Sequence, residues 1–325
     1  MELHIFVSVM RGRISFKSGA VQHLYQRTND GFLIFYSVRD YLVFFTILTT
    51  AARRYNVRIL GVCLMVDHIH ILVEAPNKME LDQFVCLYTS WFVKTYNEWY
   101  GRKGPFFQKQ YGIASKVYDK DIRNAIAYLY NNPVERQICQ RAEQARWNLL
   151  AYGNCRHPFS QPLRLDKARA PIRRAVEEIR SSRKEGRPLN YAQLKRISKS
   201  LLPEEQAQLT DFIVSCYNCV DYPDLFYRFG SYDKLVTAIN TTTGSEYAIS
   251  EEFVGRSDRI YGQMSRFLLE SHRIEAIDDL LRLPEEERRS LLAPLGLRTG
   301  ASHRQLEKYL HLRPACAAKP RTAGG

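Results

Sequence analysis

The chain has 325 residues, with 47 Lys and Arg against 34 Asp and Glu and a formal net charge of +13. Hydrophobic residues make up 45% and charged residues 25%, which is ordinary globular usage and excludes wholesale disorder. The length predicts two domains, and the positive charge favours a polyanionic partner, most often nucleic acid.

Membrane and secreted classes find no support in the sequence. The apolar run Tyr41–Phe45 is far shorter than the ~20 residues of a membrane span. Residues 5–10 are apolar but lead into basic residues without a cleavage site, so we expect no signal peptide. Seven mostly scattered cysteines indicate reduced thiols, and the Cys216/Cys219 pair lacks the further ligands of a zinc site. We expect a cytoplasmic, nucleoid-associated protein without membrane contact.

The first part of the chain alternates between strand-like and helix-like patterns. In chain order, we predict strands at 20–25 and 32–36, a helix from an Asp40 N-cap to Arg54, two strands or one bent strand within 58–73, a helix over Lys78–Tyr100, a candidate strand after Pro105 and a helix from Asp121 that stops at Pro133. Strand pairs interleaved with helices indicate an α+β fold with an antiparallel sheet flanked by helices, close to a ferredoxin-like arrangement.

Helical patterns dominate the second part. We predict a first domain over 1–155, a linker over 156–169, an all-helical domain over 170–313 and a disordered tail over 314–325. The predicted helices cover 170–183, 190–201, 203–217, 231–239, 258–269, 275–281, 284–295 and 302–311. Residues 299–306 look like the start of a helix-turn-helix, but coil follows Leu312. Either the recognition helix is missing or the helix over 302–311 takes that role.

Paired histidines mark the most informative segment. On a strand, His68 and His70 would share one face, because residues i and i+2 point to the same side. Two imidazoles at that spacing suit one divalent cation. The alternative is two polar residues on a solvated strand face.

A second segment, 121–133, combines a tyrosine with an asparagine. Tyr128 and Asn132 are four residues apart and therefore lie on one flank of the predicted helix. A tyrosine can attack a phosphate ester when a cation stabilises the phosphoryl oxygens, and an asparagine carbonyl can complete a metal site. The alternative is a core tyrosine followed by a helix-capping asparagine.

Three segments together resemble the single-tyrosine HUH transposases, and within them the REP-associated tyrosine transposase type. They are Asp-His-Ile-His-Ile-Leu at 67–72, Phe-Gln-Lys-Gln-Tyr at 107–111 and Tyr-Leu-Tyr-Asn-Asn-Pro-Val at 128–134. Paired histidines are common by chance, whereas their combination with a downstream Tyr-x-x-x-Asn-Pro-Val is specific. The resemblance covers about residues 18–153.

The resemblance implies a fold, a metal and a reaction. His68 and His70 match the HUH pair, Tyr128 matches the nucleophile, and Asn132 matches the third ligand of Mg²⁺ or Mn²⁺. The tyrosine would attack a single-stranded DNA phosphate near a hairpin and leave a 5′-phosphotyrosine and a free 3′-OH. Reversal of that step would join strands. Tyr130 lies about 200° away around the helix and ranks below Tyr128.

Single-stranded DNA also needs a path, in which basic residues hold phosphates and aromatic residues stack on bases. The predicted DNA-binding residues are His23, Tyr25, Arg27, Gln108, Lys109, Tyr111, Arg173, Arg174 and Arg304.

Two other functions stay open at this point. One is a domesticated hairpin-binding protein with weak or no catalysis, and the other is a metal-dependent hydrolase of small phosphate esters. The sequence does not decide whether the protein forms a homodimer, which hairpin it recognises, or whether it moves its own element.

Overall fold

The computed structural model describes residues 16–241 and 257–313. Its centre is a four-stranded antiparallel sheet in the order β2-β3-β1-β4, followed along the chain by helices. The strands are β1 (Val21–Arg27), β2 (Arg58–Leu64), β3 (His68–Glu74) and β4 (Gly112–Lys116), and the helices of this part are α1 (Val38–Arg54), α2 (Lys78–Tyr100) and α3 (Asp119–Glu135). The predicted α+β fold is confirmed, and the order β-α-β-β-α-β is that of a ferredoxin-like unit.

Strand register divides the sheet into two chemically different faces. Tyr25 of β1 pairs with His70 of β3, and Arg27 pairs with His68, so these side chains share a face. We call it the histidine face. The alternate residues point to the other face, where Tyr88 of α2 donates a hydrogen bond to Gln26 of β1. Helices α1 and α2 pack together on that side, and α3 packs on the histidine face against β2, β3 and β4.

Helix α1 begins earlier than predicted. The N-cap is Ser37, whose side chain accepts from the Asp40 amide, and Asp40 is the third helical residue of a capping box. The predicted role of Asp40 as the N-cap is therefore wrong. Asp40 is fully buried, and its carboxylate accepts from the hydroxyls of Tyr100 and Tyr191 at 2.9 and 2.8 Å. This single carboxylate joins α1, α2 and the C-terminal helices.

The strand predicted at 32–36 is absent from the described structure. This segment is an extended, buried connection to α1, in which the Ile34 amide donates to the Val66 carbonyl at 2.7 Å. Its apolar residues are buried, but they pair with the β2–β3 connection and not with a strand. A short apolar run shows burial and does not distinguish a strand from a buried loop.

Helix α3 continues through the proline at which it was predicted to stop. It spans Asp119–Glu135, and the Arg136 amide still donates to the Asn132 carbonyl at 3.0 Å. Proline removes one backbone donor, and here the chain resumes helical bonding beyond it. Gly61 of β2 allows α3 to lie close, because a Cβ there would be 3.2 Å from Leu129.

The remaining helices form two packing groups. Buried residues of α4–α8 belong to the same hydrophobic cluster as the sheet, and partly buried residues of the predicted linker, such as Leu163 and Leu165, pack against it. Helices α9–α12 build a second cluster that includes Leu33. Their bounds are α4 (Ala170–Lys184), α5 (Tyr191–Ser198), α6 (Pro203–Tyr217), α7 (Tyr222–Phe229), α8 (Tyr232–Thr241), α9 (Arg259–Glu270), α10 (Glu285–Ser290), α11 (Leu292–Thr299) and α12 (His303–Leu310).

Two predicted helices differ in detail from the structure, and one helix was not predicted. Residues 277–282 are a 3₁₀ helix, the helix predicted over 284–295 is divided near Leu291 into α10 and α11, and α7 was not predicted. The proposed domain boundaries stay a prediction. No helix among residues 16–241 and 257–313 is long and apolar enough to cross a membrane. The expectations for residues 5–13 and for the tail 314–325 lie outside the described residues.

Substituting Gly61→Val tests the close approach of α3 to the sheet. The added side chain would collide with Leu129, and overpacking of this kind lowers the free energy of unfolding by about 1–3 kcal/mol. Urea unfolding measures the change. The control is Gly262→Ala on exposed α9, where a Cβ meets nothing within 4 Å. That change should stabilise the protein by about 0.5–1 kcal/mol. Equal stabilities of Gly61→Val and wild type would contradict the close approach.

Asp40 predicts a pH dependence of stability. Burial raises the pKa of Asp40 to about 6, although hydrogen bonds from the Tyr36 amide and the Tyr191 hydroxyl oppose the shift. The folded state then holds a proton that the unfolded state has lost, so stability falls as pH rises from about 4 to about 6. Asp40→Asn should make the pH dependence of the unfolding free energy less negative in this window, by up to about 1.4 kcal/mol per pH unit. Identical slopes for the two proteins would exclude the buried carboxyl as their source.

Candidate functional site

The two motif histidines lie side by side on β3. His68 and His70 are buried on the histidine face, and their ring centroids are 4.9 Å apart. The period-2 geometry of a strand therefore places both imidazoles where the sequence predicted them, on one side of the sheet.

A carboxylate contacts His68 at its Nδ1 atom, and a lysine contacts that carboxylate. His68 Nδ1 lies 2.6 Å from Asp67 Oδ1, and Asp67 Oδ2 lies 3.0 Å from Lys308 Nζ on α12. Burial alone would raise the pKa of Asp67, but the neighbouring His68 and Lys308 charges hold it well below its usual range. An ionised Asp67 accepts the Nδ1 proton, so Nε2 is the nitrogen of His68 that would face a metal ion.

His70 lies between a third histidine and the asparagine of α3. Its Nδ1 is 3.1 Å from His23 Nε2, and its Nε2 is 3.4 Å from Asn132 Nδ2. The two ends of an amide side chain are alike in shape, so rotation of Asn132 would place its oxygen at the same position. His23 thus supports His70 from one side, while Asn132 reaches it from α3.

Tyr128 lies beside the same imidazoles. Its ring centroid is 5.8 Å from that of His70 and 6.0 Å from that of His23, and the residue is 2% exposed. Tyr130 points elsewhere, with its hydroxyl 3.4 Å from the Leu60 carbonyl. Burial raises the pKa of Tyr130 well above its ordinary value. Of the two, Tyr128 is the tyrosine at the histidines.

The donor set fits a divalent cation. The His68 and His70 rings are 4.9 Å apart and the Asn132 amide lies 3.4 Å from His70 Nε2, and imidazole and amide groups are ligands that divalent metals accept when other groups fix their orientation. Within the described ranges, no group of three or more His, Cys, Asp or Glu side chains is arranged to hold a metal ion, so a site at the two histidines would need the Asn132 amide. His68, His70 and Asn132 are therefore the side chains that would hold the predicted metal.

Five of the predicted DNA-binding residues lie near this site. Tyr25 is half-buried against both motif histidines, at ring distances of 6.0 and 5.2 Å, and the Arg27 guanidinium lies 4.9 Å from the Tyr25 ring centre. Arg27, Gln108 and Arg304 line one cavity. His23 is also near the site, but it is fully buried with its Nε2 3.1 Å from His70 Nδ1, so its predicted contact with DNA stays a prediction.

Other predicted DNA-binding residues lie away from the histidines. The Tyr111 hydroxyl donates to Asp82 of α2, which lies on the opposite face of the sheet. Arg173 and Arg174 are exposed on α4, which packs on α6, and α6 packs on α1 on that same opposite side. The structure therefore does not bring these three residues to the site. Lys109 is exposed just before β4.

Helix α12 packs on the first part of the chain. His311 Nε2 lies 2.8 Å from the Leu33 carbonyl, and the buried face of α12 contains Leu306, Tyr309 and Leu310. Within α12, the exposed residues are His303 and Arg304 at its beginning. This helix packs against the domain that carries the histidines, so most of its surface is not available to a DNA groove.

Comparison with known proteins gives a family match within the N-terminal part of the chain. Residues 30–132 match the family model described as Transposase IS200 like. Over this segment the match agrees with the predicted resemblance to a single-tyrosine transposase, and the REP-associated type stays a prediction. A solved structure of a REP-associated tyrosine transposase bound to a REP hairpin is similar at 13% identity, over 44% of this chain and 83% of that chain, with a TM-score of 0.36. No curated protein matches the chain significantly. The family match, which includes His68, His70, Tyr128 and Asn132, supports a transposase-type role in DNA processing.

Two residues that support His68 were not included among the site residues in the sequence analysis. Asp67 directly precedes the histidine pair, and this position was the one sequence feature that could have predicted its contact with His68. Lys308 lies 241 residues further along the chain, outside the matched segment. No local pattern connects the two positions.

Lys308→Met should weaken metal binding at the histidines. Loss of the ammonium leaves Asp67 buried without its cationic partner and loosens the orientation of His68. We expect Mn²⁺ affinity, measured by electron paramagnetic resonance without DNA, to fall by up to about tenfold. Lys308→Arg should retain most of the affinity, and exposed Lys184→Met is the matched control. Unchanged affinity in Lys308→Met would exclude an influence of α12 on the site.

Proposed function

We propose that this protein cleaves and rejoins single-stranded DNA near hairpins through a 5′-phosphotyrosine on Tyr128. Mg²⁺ or Mn²⁺ would be held by His68, His70 and Asn132, as in the REP-associated type that the sequence resembles. The observation that carries the proposal is the packing of α3 on the histidine face, which brings Tyr128 and Asn132 to His70.

The reaction needs a nucleophile, a proton acceptor and a leaving group. The Tyr128 oxygen would form a bond to phosphorus while the bond from phosphorus to the 3′ oxygen breaks, which leaves a free 3′-OH. The phenolic proton would pass to solvent or to the His23 imidazole, which lies beside Tyr128 and outside the metal set, and the departing 3′ oxygen would take up a proton from solvent. When bound, the cation would neutralise charge on the phosphate oxygens. Attack by a 3′-OH reverses the step and rejoins the strand.

Polar groups around the site support a nucleic-acid substrate over a small phosphate ester. The Tyr25 hydroxyl is buried and has no hydrogen-bond partner among the described residues, so a donor is available to a phosphate beside the histidines. The Arg27 guanidinium next to it adds positive charge. The net charge of +13 has the sign that attracts a long polyanion.

One observation favours the alternative of a hairpin-binding protein with weak or no catalysis. Tyr128 is only 2% exposed, so a phosphate reaches its oxygen only if covering side chains move. DNA binding would have to supply that movement, as substrate binding does in many enzymes. Covalent trapping separates the two functions.

Tyr128→Phe should abolish covalent attachment and leave DNA affinity nearly unchanged, because it removes only the nucleophilic oxygen. The assay uses hairpin-bearing single strands labelled at the 3′ end, because a 5′-phosphotyrosine joins the protein to the 3′ fragment. Denaturing gels with Mn²⁺ measure the adduct, and gel shifts measure affinity. Tyr130→Phe is the matched control and should still form the adduct.

Each result has a definite meaning. An adduct with Tyr128→Phe would assign the nucleophile elsewhere. A gel shift without an adduct in the wild-type protein would favour the hairpin-binding alternative. The absence of both an adduct and a gel shift in the wild-type protein would overturn the proposed DNA substrate.

A further inference from the structure

A cavity of about 360 Å³ opens beside the site, where the C-terminal helices meet the end of β1. We call it the C-terminal cleft, and we define it by Arg27, Gln108, Arg136, Asp258, Tyr261 and Arg304. Its volume lies in the range of small-ligand sites, about 300–1,000 Å³. Half of these residues come from α9, α12 and their approaches, which lie outside the segment that matches the transposase family.

The cleft adjoins the proposed active site on two sides. Asp67, the partner of His68, forms part of its lining. Arg136 follows α3, four residues after Asn132, and its carbonyl accepts a hydrogen bond from the Asp258 amide at 3.3 Å. A nucleotide in the cleft would therefore lie next to a phosphate held at Tyr128.

The charges of the cleft are mixed. Three guanidinium groups, those of Arg27, Arg136 and Arg304, match phosphate in charge and geometry. Asp258 contributes a carboxylate to the same lining, and only 8% of this residue is exposed. A cleft built for a bare phosphate would not carry a buried carboxylate, because the two anions repel each other.

Asp258 also has an unused hydrogen-bond acceptor. Its Oδ2 is buried and has no hydrogen-bond partner within the described part of the chain. A buried acceptor without a donor costs free energy, so a ligand that brings a donor is favoured. A nucleotide carries both the phosphate that the arginines prefer and a base whose edge can supply the donor.

We propose that the C-terminal cleft binds one nucleotide of the single-stranded DNA and selects a base with an exocyclic amino group through Asp258. The amino groups of adenine, cytosine and guanine can donate to a carboxylate. Thymine has no amino group, and its N3–H lies between two carbonyl oxygens that repel a carboxylate. This inference rests on the proposed function for its substrate class, single-stranded DNA.

The test is a selection on hairpin oligonucleotides with randomised single-stranded flanks. Tyr128→Phe protein is used as the parent, so that binding is measured without cleavage. We expect one flank position to exclude thymine by about tenfold or more. Adding Asp258→Asn should remove this preference, because an amide offers a donor as well as an acceptor and can pair with thymine O4. Glu286→Gln, the same chemical change at an exposed position on α10, should retain it.

A second variant keeps the test decisive in case Asp258→Asn fails to fold. Arg304 is exposed at the start of α12, so Arg304→Gln should leave thermal unfolding unchanged. It should weaken binding of the flanked hairpin about fivefold or more, and it should bind a blunt hairpin as the parent does. Equal binding of both hairpins by Arg304→Gln and parent would overturn the proposal.

The result can be separated from that of the proposed function. Adduct formation by the wild-type protein with no base preference at any flank position would overturn the cleft proposal and keep the proposed function. Discrimination against thymine that survives in Asp258→Asn would also overturn it. A base preference that depends on Asp258, without any adduct in the wild-type protein, would support the cleft and reject the proposed catalysis.

Discussion

The packing of α3 across the histidine face is the contact on which the site depends. A sheet face that carries His23, His68 and His70 cannot remain buried unless an element covers it and bonds its polar atoms. Gly61 leaves the space in which Leu129 and Tyr130 of α3 lie against β2. With the helix fixed there, its 3.6-residue period turns Asn132 towards His70 and places Tyr128 beside the same ring.

The buried polar groups form two chains of contacts that meet where the His68 and His70 rings lie 4.9 Å apart. One runs from Lys308 through Asp67 to His68, and the other from His23 through His70 to Asn132. In an interior of low polarity, a buried polar group that loses its hydrogen-bond partner costs free energy, so each side chain stays in its place. Such contacts keep the side chains oriented in advance, as the proposed phosphoryl chemistry would require.

The sequence predicted well those features that depend on local periodicity. Alternation along β3 placed His68 and His70 on one face, and helical spacing gave the bounds of α2 at Lys78 and Tyr100 without error. The predicted strand at 32–36 was wrong, because burial of an apolar run does not reveal its hydrogen-bond partners.

Local sequence patterns could not predict the features that depend on packing between residues far apart in the chain. The path of α4 over α6 removes Arg173 and Arg174 from the histidine face, and the bond from Tyr111 to Asp82 fixes that ring on the other side of the sheet. The contact between Lys308 and Asp67 joins residues that share no motif. Basic and aromatic residue types therefore identified candidates, but only the tertiary fold could choose among them.

The bond from Lys308 to Asp67 also orders events in time. A ribosome makes the chain from its N-terminus, and the 241 residues between these two positions take roughly 12 to 48 s to synthesise at about 5–20 residues per second. During that interval the sheet and α3 can form while Asp67 still lacks its lysine. The nascent protein thus passes through a stage in which the histidines are present but Asp67 lacks its contact with Lys308. The site reaches its final form only after α12 has left the ribosome and packed against the sheet domain.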